Sequence, residues 1–177
     1  MLNNFFPFPV LQTERLILRQ LSMQDEKEIF LLRSDESVNK HIDRPRATSL
    51  KDAQEFIKKI NDYVAANESL YWAINFKNDK KLIGTVCYWN ICKAENRAEI
   101  GYELLPSFQG KGIMHEAISE VIEFGFQMMQ LQTIEAWPKI ENLNSLKVLE
   151  KINSKEILKQ KKEFRLKKKQ TASPSFL

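Results

Sequence analysis

Residues 97–128 constrain the fold of this chain more than any other stretch, because they place a strand, a glycine turn and a buried helix end to end. From Arg97 to Leu104 the side chains alternate, which puts Ala98, Ile100, Tyr102 and Leu104 on one face and Glu99, Gly101 and Glu103 on the other. Pro106 interrupts that pattern. Gln109-Gly110-Lys111-Gly112-Ile113-Met114 then leads into a run to Met128, in which Ala117, Ile118, Val121, Ile122, Gly125 and Phe126 form a broad apolar stripe. A helix with so wide a stripe must be covered on that side, and the strand supplies the cover. The acidic face of the strand is the anomaly, since it lies within an otherwise core-forming segment.

The remaining elements extend this into an α/β pattern. Arg15–Arg19 is a short apolar run bounded by charges, and Ser22 with Asp25 and Glu26 opens a helix through Ile29, Phe30 and Leu32. Ser49 opens a second helix whose Ala53, Phe56, Ile57, Ile60 and Val64 recur at helical spacing. Two aromatic and β-branched runs, Leu70–Phe76 and Leu82–Trp89, flank the turn Lys77-Asn78-Asp79-Lys80-Lys81 and predict an antiparallel pair. Thr133–Trp137 is a further strand, and Asn142–Lys151 a last short helix with Leu146, Val148, Leu149 and Ile152 available for burial. Residues 1–177 are therefore read as a single domain, with an N-terminal extension over 1–10 and a lysine-rich segment over 154–177.

Composition removes several function classes. A hydrophobic fraction of 43% and a charged fraction of 28% over 177 residues suit a globular chain. No apolar stretch approaches the roughly 20 residues that span a bilayer. The N-terminus lacks the basic and apolar regions of a secretory signal, so a cytoplasmic location and no membrane partner are expected. Cys87 and Cys92 have neither metal-site spacing nor a histidine cluster nearby, which predicts two reduced thiols and no metal. The net charge of +4 collects within Lys155–Lys169; a solvated charge run is the simple reading, and contact with RNA, a ribosome or an acidic partner the alternative.

The loop before the buried helix carries chemistry by its position. The first turn of a helix presents unpaired N–H groups and the positive end of the helix dipole, so a loop entering it can cradle a pyrophosphate. Gly110 and Gly112 allow phosphates near the backbone, and Lys111 adds positive charge. The spacing is neither that of a P-loop nor that of a Rossmann fingerprint.

Gln109 to Met114 resembles the Q/R-x-x-G-x-G/A signature of the GNAT acetyltransferases, with Met114 departing from its last small position. Thr13-Glu14-Arg15-Leu16-Ile17-Leu18-Arg19 resembles the opening strand of the RimJ/RimL-like branch, Ala98–Leu104 its fourth strand, and Glu141-Asn142 through Leu149-Glu150-Lys151 its last shared helix. These four matches fall in order over residues 11–153. The resemblance implies a GNAT fold: a mixed, mostly antiparallel twisted sheet of six or seven strands, flanked by about four helices, with the fourth and fifth strands (97–104 and 133–137) splayed.

The same resemblance implies acetyl-CoA as co-substrate and transfer of its acetyl group to a primary amine, such as a protein N-terminal α-amine on a ribosomal protein. Leu104 and Leu105 are implied to meet the pantetheine arm through their backbone, and Gln109, Gly110, Lys111, Gly112, Ile113 and Met114 to hold the pyrophosphate. Asn142 and Ser145 are implied to face the cofactor, with Asn142 as a simple helix cap the alternative. Direct attack by an amine requires a base and a group that receives the departing thiolate. Glu99 is the implied base, against the simpler role of a strand glutamate paired to Arg97 or a lysine. Glu103 shares its face, but four strand positions put about 13 Å between them, too far for a carboxylate pair. Ser145 is implied on the thiolate side, because Val148-Leu149 stand where several relatives carry a tyrosine.

Trp72, Tyr88, Trp89 and Tyr102 are candidates for the acceptor cleft or for the core; His115 and His41 are unconvincing as catalytic groups. Arg44-Pro45-Arg46 is a candidate to meet a carboxylate. Beyond the last helix the resemblance ends, since Pro174 and small polar residues stand where a central strand belongs. Residues 156–166 can still pair as one strand, and an unfinished sheet edge invites a homodimer. An acetyl-CoA sensor without activity, a small-amine acetyltransferase and a basic RNA-associated module are the competing readings.

Overall fold

The computed structural model describes residues 5–153 and 163–168, and all structural statements concern these. Seven strands form one sheet in sequence order: β1 (Leu11–Gln12), β2 (Leu16–Gln20), β3 (Leu70–Phe76), β4 (Gly84–Cys92), β5 (Arg97–Leu104), β6 (Thr133–Ala136) and β7 (Glu163–Leu166). Neighbours are antiparallel from β1 to β5, whereas β5–β6 and β6–β7 are parallel. The helices are α1 (Glu26–Ser34), the single turn α2 (Glu36–Asn39), α3 (Leu50–Ala65), α4 (Ile113–Gln127) and α5 (Leu143–Asn153). This is the architecture that the resemblance implies, with one extra edge strand at the start, so the expected fourth and fifth strands are β5 and β6.

Local chemistry accounts for the element ends. Ser22 and Ser49 each form a capping box, with Asp25 and Asp52 reaching back to the cap backbone. Gly112 caps α4 at φ +74, a left-handed conformation that a side chain resists. Leu82 and Ile83 lie just outside the strand expected to hold them, although the Ile83 N–H still donates to the Ile74 carbonyl at 2.8 Å.

The pleat divides the interior into two cores. Leu16, Leu18, Trp72, Tyr88, Ala98 and Ile100 meet α4 and α5 on one face. Tyr71, Ala73 and Cys87 meet α1 and α3 on the other. Burial of this apolar surface is the main stabilising term. The approach of α4 is close, because a Cβ on Gly125 would lie 2.9 Å from Tyr88 Cζ, and the Tyr88 hydroxyl donates to the Val121 carbonyl at 2.8 Å. Part of the expected N-terminal extension is docked as well: Phe5 is buried, and Trp72 Nε1 donates to the Pro9 carbonyl at 2.7 Å.

Two features of the sheet shape the site. β5 runs on to Leu104, but its pairing with β6 ends at Glu99 opposite Glu135, so the strands part beyond that point. Beside it, β4 and β5 shift register between Trp89 and Cys92, with Asn90 at φ +49 on the irregularity. The tail after α5 resolves in part: Glu163–Leu166 is one strand, parallel to β6. Pro174 and the final residues lie outside the described residues.

Candidate active site

A cleft of about 1290 Å³ opens where β5 and β6 part. Its lining includes the loop into α4, Glu99, Trp89 and the loop after α2. The parting leaves backbone groups of β5 without a ladder. The Leu105 N–H donates to the Ile83 carbonyl at 3.0 Å, and alternate residues of an antiparallel strand point to opposite sides. Tyr102 and Leu104 therefore turn their main-chain groups toward the gap, while Leu105 spends its N–H on Ile83, just before β4. Of the two leucines expected to meet a pantetheine arm, Leu104 has the suitable orientation.

The entry to α4 keeps its shape through a set of braces. Gln109 Nε2 donates to the Leu104 carbonyl at 3.0 Å, closing the turn, and Gly110 and Gly112 have φ of +75 and +74. The N–H groups of Ile113 and Met114 belong to the exposed first turn of the dipole, while their side chains are buried. Lys111 is less direct than expected: its ammonium donates to the Ser107 carbonyl at 2.8 Å and lies over the Phe108 ring. Arg15 is a brace that sequence reasoning missed. Its Nη1 donates to the Lys111 carbonyl at 3.2 Å and its Nε to Glu116 Oε2 at 2.6 Å. Burial works to raise the Glu116 carboxyl, but hydrogen bonds from Thr13 and Arg15 hold it below the usual range.

The two carboxylates of β5 have different surroundings. Glu103 accepts both Arg44 guanidinium arms at 2.6 Å, and their side chains are only 10% and 2% exposed. Arg44 Nε donates to Asn39 Oδ1 at 2.8 Å, which ties the loop after α2 to the sheet. Arg44 is thus already engaged and does not stand open to a ligand carboxylate; Arg46 is largely exposed. Glu99 is 8% exposed and accepts from Asn90 Nδ2 at 2.7 Å. Arg97 approaches it only at 4.0 Å, because that guanidinium also serves Glu95 at 2.9 Å and Glu135 at 3.5 Å. Glu135, paired with Glu99 across the strands, receives Lys167 at 2.7 Å. Glu99 thus keeps an ion pair to Arg97, as the simpler role of a strand glutamate paired to Arg97 or a lysine expects, but its closer partner is Asn90.

Asn142 and Ser145 stand at the start of α5. Asn142 Oδ1 accepts the Ser145 N–H at 3.1 Å, so the side chain is a helix cap that also lines the cleft. Ser145 Oγ lies 2.5 Å from the Tyr102 hydroxyl. The four candidate aromatics divide: Trp72 and Tyr88 are fully buried, whereas Trp89 and Tyr102 line the cleft. His41 and His115 also line it. Burial, followed by the Glu103 charge, pushes the Cys87 thiol up to about 12, which keeps it protonated at neutral pH. No cluster able to hold a metal, and no helix long and apolar enough to cross a membrane, occurs among the described residues.

Comparison with known proteins agrees with this geometry. The profile of the family described as "Acetyltransferase (GNAT) domain" matches residues 15–155. The chain belongs to the GNAT acetyltransferases. A relative from Bacillus subtilis (strain 168), described as the uncharacterized N-acetyltransferase YoaA, is 33% identical over 145 residues, with 82% of each chain covered. A solved GNAT acetyltransferase from Bacillus anthracis superposes with a TM-score of 0.71 at 26% identity, covering 81% of this chain and 82% of that one. The ribosomal-protein-S5-alanine acetyltransferase from Vibrio fischeri superposes with a TM-score of 0.67 at 26% identity, covering 81% of each.

Proposed function

We propose that this chain transfers the acetyl group of acetyl-CoA to a primary amine, with a protein N-terminal α-amine as the acceptor. The observation that carries the reading is one cleft joining three things: the glycine-capped entry of α4, the gap beside Tyr102 and Leu104, and Glu99 with its Asn90 partner. Dipole and loop N–H groups suit a pyrophosphate, and the gap suits an extended arm running toward Glu99. The Vibrio fischeri protein, described as a ribosomal-protein-S5-alanine acetyltransferase, supports a ribosomal protein as acceptor.

In this reading Glu99 takes a proton from the acceptor amine, directly or through water. Nitrogen attacks the thioester carbonyl, and the oxyanion is met by main-chain N–H groups of β5 at the gap. The C–S bond then breaks, its electron pair passes to a sulfur hydrogen-bonded by Ser145, and the proton that Glu99 took from the amine is handed on through water to the sulfur, which regenerates the carboxylate. Glu103 is not the base here, because Arg44 occupies both of its oxygens.

Calorimetric titration with acetyl-CoA, followed by thiol release against N-terminal peptides, polyamines and amino acids, tests the reading. Turnover with peptides that falls about 100-fold or more in Glu99→Gln supports it. Turnover only with small amines moves the acceptor class. Binding without turnover makes the protein an acetyl-CoA sensor.

A further inference from the structure

Ser145 alone is a poor partner for a departing thiolate, because a serine hydroxyl is a weak acid and turns freely about its Cβ–Oγ bond. What stands behind it changes that. Tyr102 rises from β5 at the gap, Ser145 sits in the first turn of α5, and their oxygens are 2.5 Å apart although 43 residues separate them in sequence. The Ser145 backbone is held as well, through its N–H to Asn142 Oδ1.

We infer that Tyr102 is a positioning residue that donates its hydroxyl hydrogen to Ser145 Oγ and so turns the serine's own hydrogen toward the sulfur of CoA. The inference rests on the acetyl-CoA reading of the cleft. Its direction follows from the two hydroxyls, since a phenol is the stronger donor and an aliphatic alcohol oxygen the better acceptor. Burial keeps the Tyr102 hydroxyl in its protonated form. Ser145 Oγ, accepting from it, becomes the better donor in turn, since hydrogen bonds in a chain polarise one another. The pair stabilises sulfur by hydrogen bonding alone, with no proton transfer from tyrosine. It also supplies a hydroxyl where Val148-Leu149 offer none.

The test uses CoA itself as the probe and reads the thiol of the protein-bound molecule by thiolate ultraviolet absorbance. A donor aimed at sulfur favours the thiolate, so the bound thiol titrates lower in the wild type than in Tyr102→Phe or Ser145→Ala. A difference of about one unit, tenfold in thiolate fraction, is expected. The protein's own thiols cancel in the comparison. In turnover, Tyr102→Phe lowers kcat about tenfold with the KM for acetyl-CoA held, and the double variant is no worse than Ser145→Ala alone.

Equal thiol titration in all three proteins, or additive losses in the double variant, overturns the inference. Tyr102→Phe removes one oxygen from a ring that otherwise keeps its packing, and Ser145→Ala reads the same hydrogen bond from the other side if that variant does not fold. If the thiol shift appears without transfer to any amine, the transferase reading fails and this pairing stands. If transfer proceeds without the shift, only the pairing fails. If CoA does not bind, both fall.

Discussion

Arg44 and Glu103 face one another along two parallel hydrogen bonds of 2.6 Å each, in a pocket where neither side chain has appreciable contact with water. Burial alone would lower the Arg44 pKa, yet the charge of Glu103 and its hydrogen bonds more than offset this and hold it above the usual arginine value. The pair clamps the loop after α2 onto β5, with Asn39 as the third member. It also leaves Glu99 as the β5 carboxylate without a bidentate arginine partner.

Removing one member of such a pair strands a buried charge. Arg44→Met is expected to cost about 3–5 kcal/mol in chemical denaturation, and Glu103→Gln to cost less, because an amide still hydrogen-bonds the guanidinium. Arg44→Met combined with Glu103→Leu recovers most of the loss. A double variant as unstable as Arg44→Met alone would show that the residues do not act as a unit.

Asn90 owes its reach to Glu99 to the register shift in β4. Asn90→Ala removes one part-buried hydrogen bond, worth about 1 kcal/mol, at a positive φ that suits asparagine better than alanine, so kcat/KM is expected to fall about three- to tenfold and the melting temperature by a few degrees. Steady-state kinetics against the best amine reads this directly. Unchanged kinetics would mean that Glu99 keeps its aim without help.

At Gly112, a φ of +74 makes any side chain costly, and a Cβ would stand 3.7 Å from Arg15 Nη2. Gly112→Ala is expected to lower stability by about 1–2 kcal/mol and to weaken acetyl-CoA binding more than this loss alone explains, because the α4 entry shifts. Calorimetry alongside thermal melting separates the two. Equal affinity in both proteins would remove the loop from cofactor binding.

Glu116 gives a pH dependence. Its carboxyl is held below the usual range in the folded state, so its contribution is present above the ordinary carboxylate pKa and is lost as pH falls through the depressed folded value. Glu116→Gln should therefore destabilise the protein by about 1 kcal/mol at neutral pH, and the gap between the two proteins should close under acid. Melting curves across that range check it. A gap independent of pH would assign the loss to packing.

Much of the architecture was legible along the chain, since each element announced itself locally. The alternation through Ala98–Leu104 and the serine caps at Ser22 and Ser49 depend on neighbours a few residues away. β1 was missed because two residues carry no period. Of the candidate site, the loop from Gln109 to Met114 and the acidic face of Glu99 and Glu103 stood out in the local sequence, whereas Asn142 and Ser145 were named through the family resemblance. Asn90 beside Glu99, Arg44 on Glu103 and Tyr102 on Ser145 are products of register and of long-range closure, and no spacing in the sequence encodes them. Lys111 shows the converse, where a charge assigned to the loop folds back onto Ser107 instead.

The division of the tryptophans has a practical side. Of the three, Trp72 is fully buried in the core, while Trp89 and Trp137 border the cleft. The molecule thus contains its own optical reporter, in which a ligand entering beside Glu99 perturbs the emission of two indoles against the constant background of the third, with no label attached.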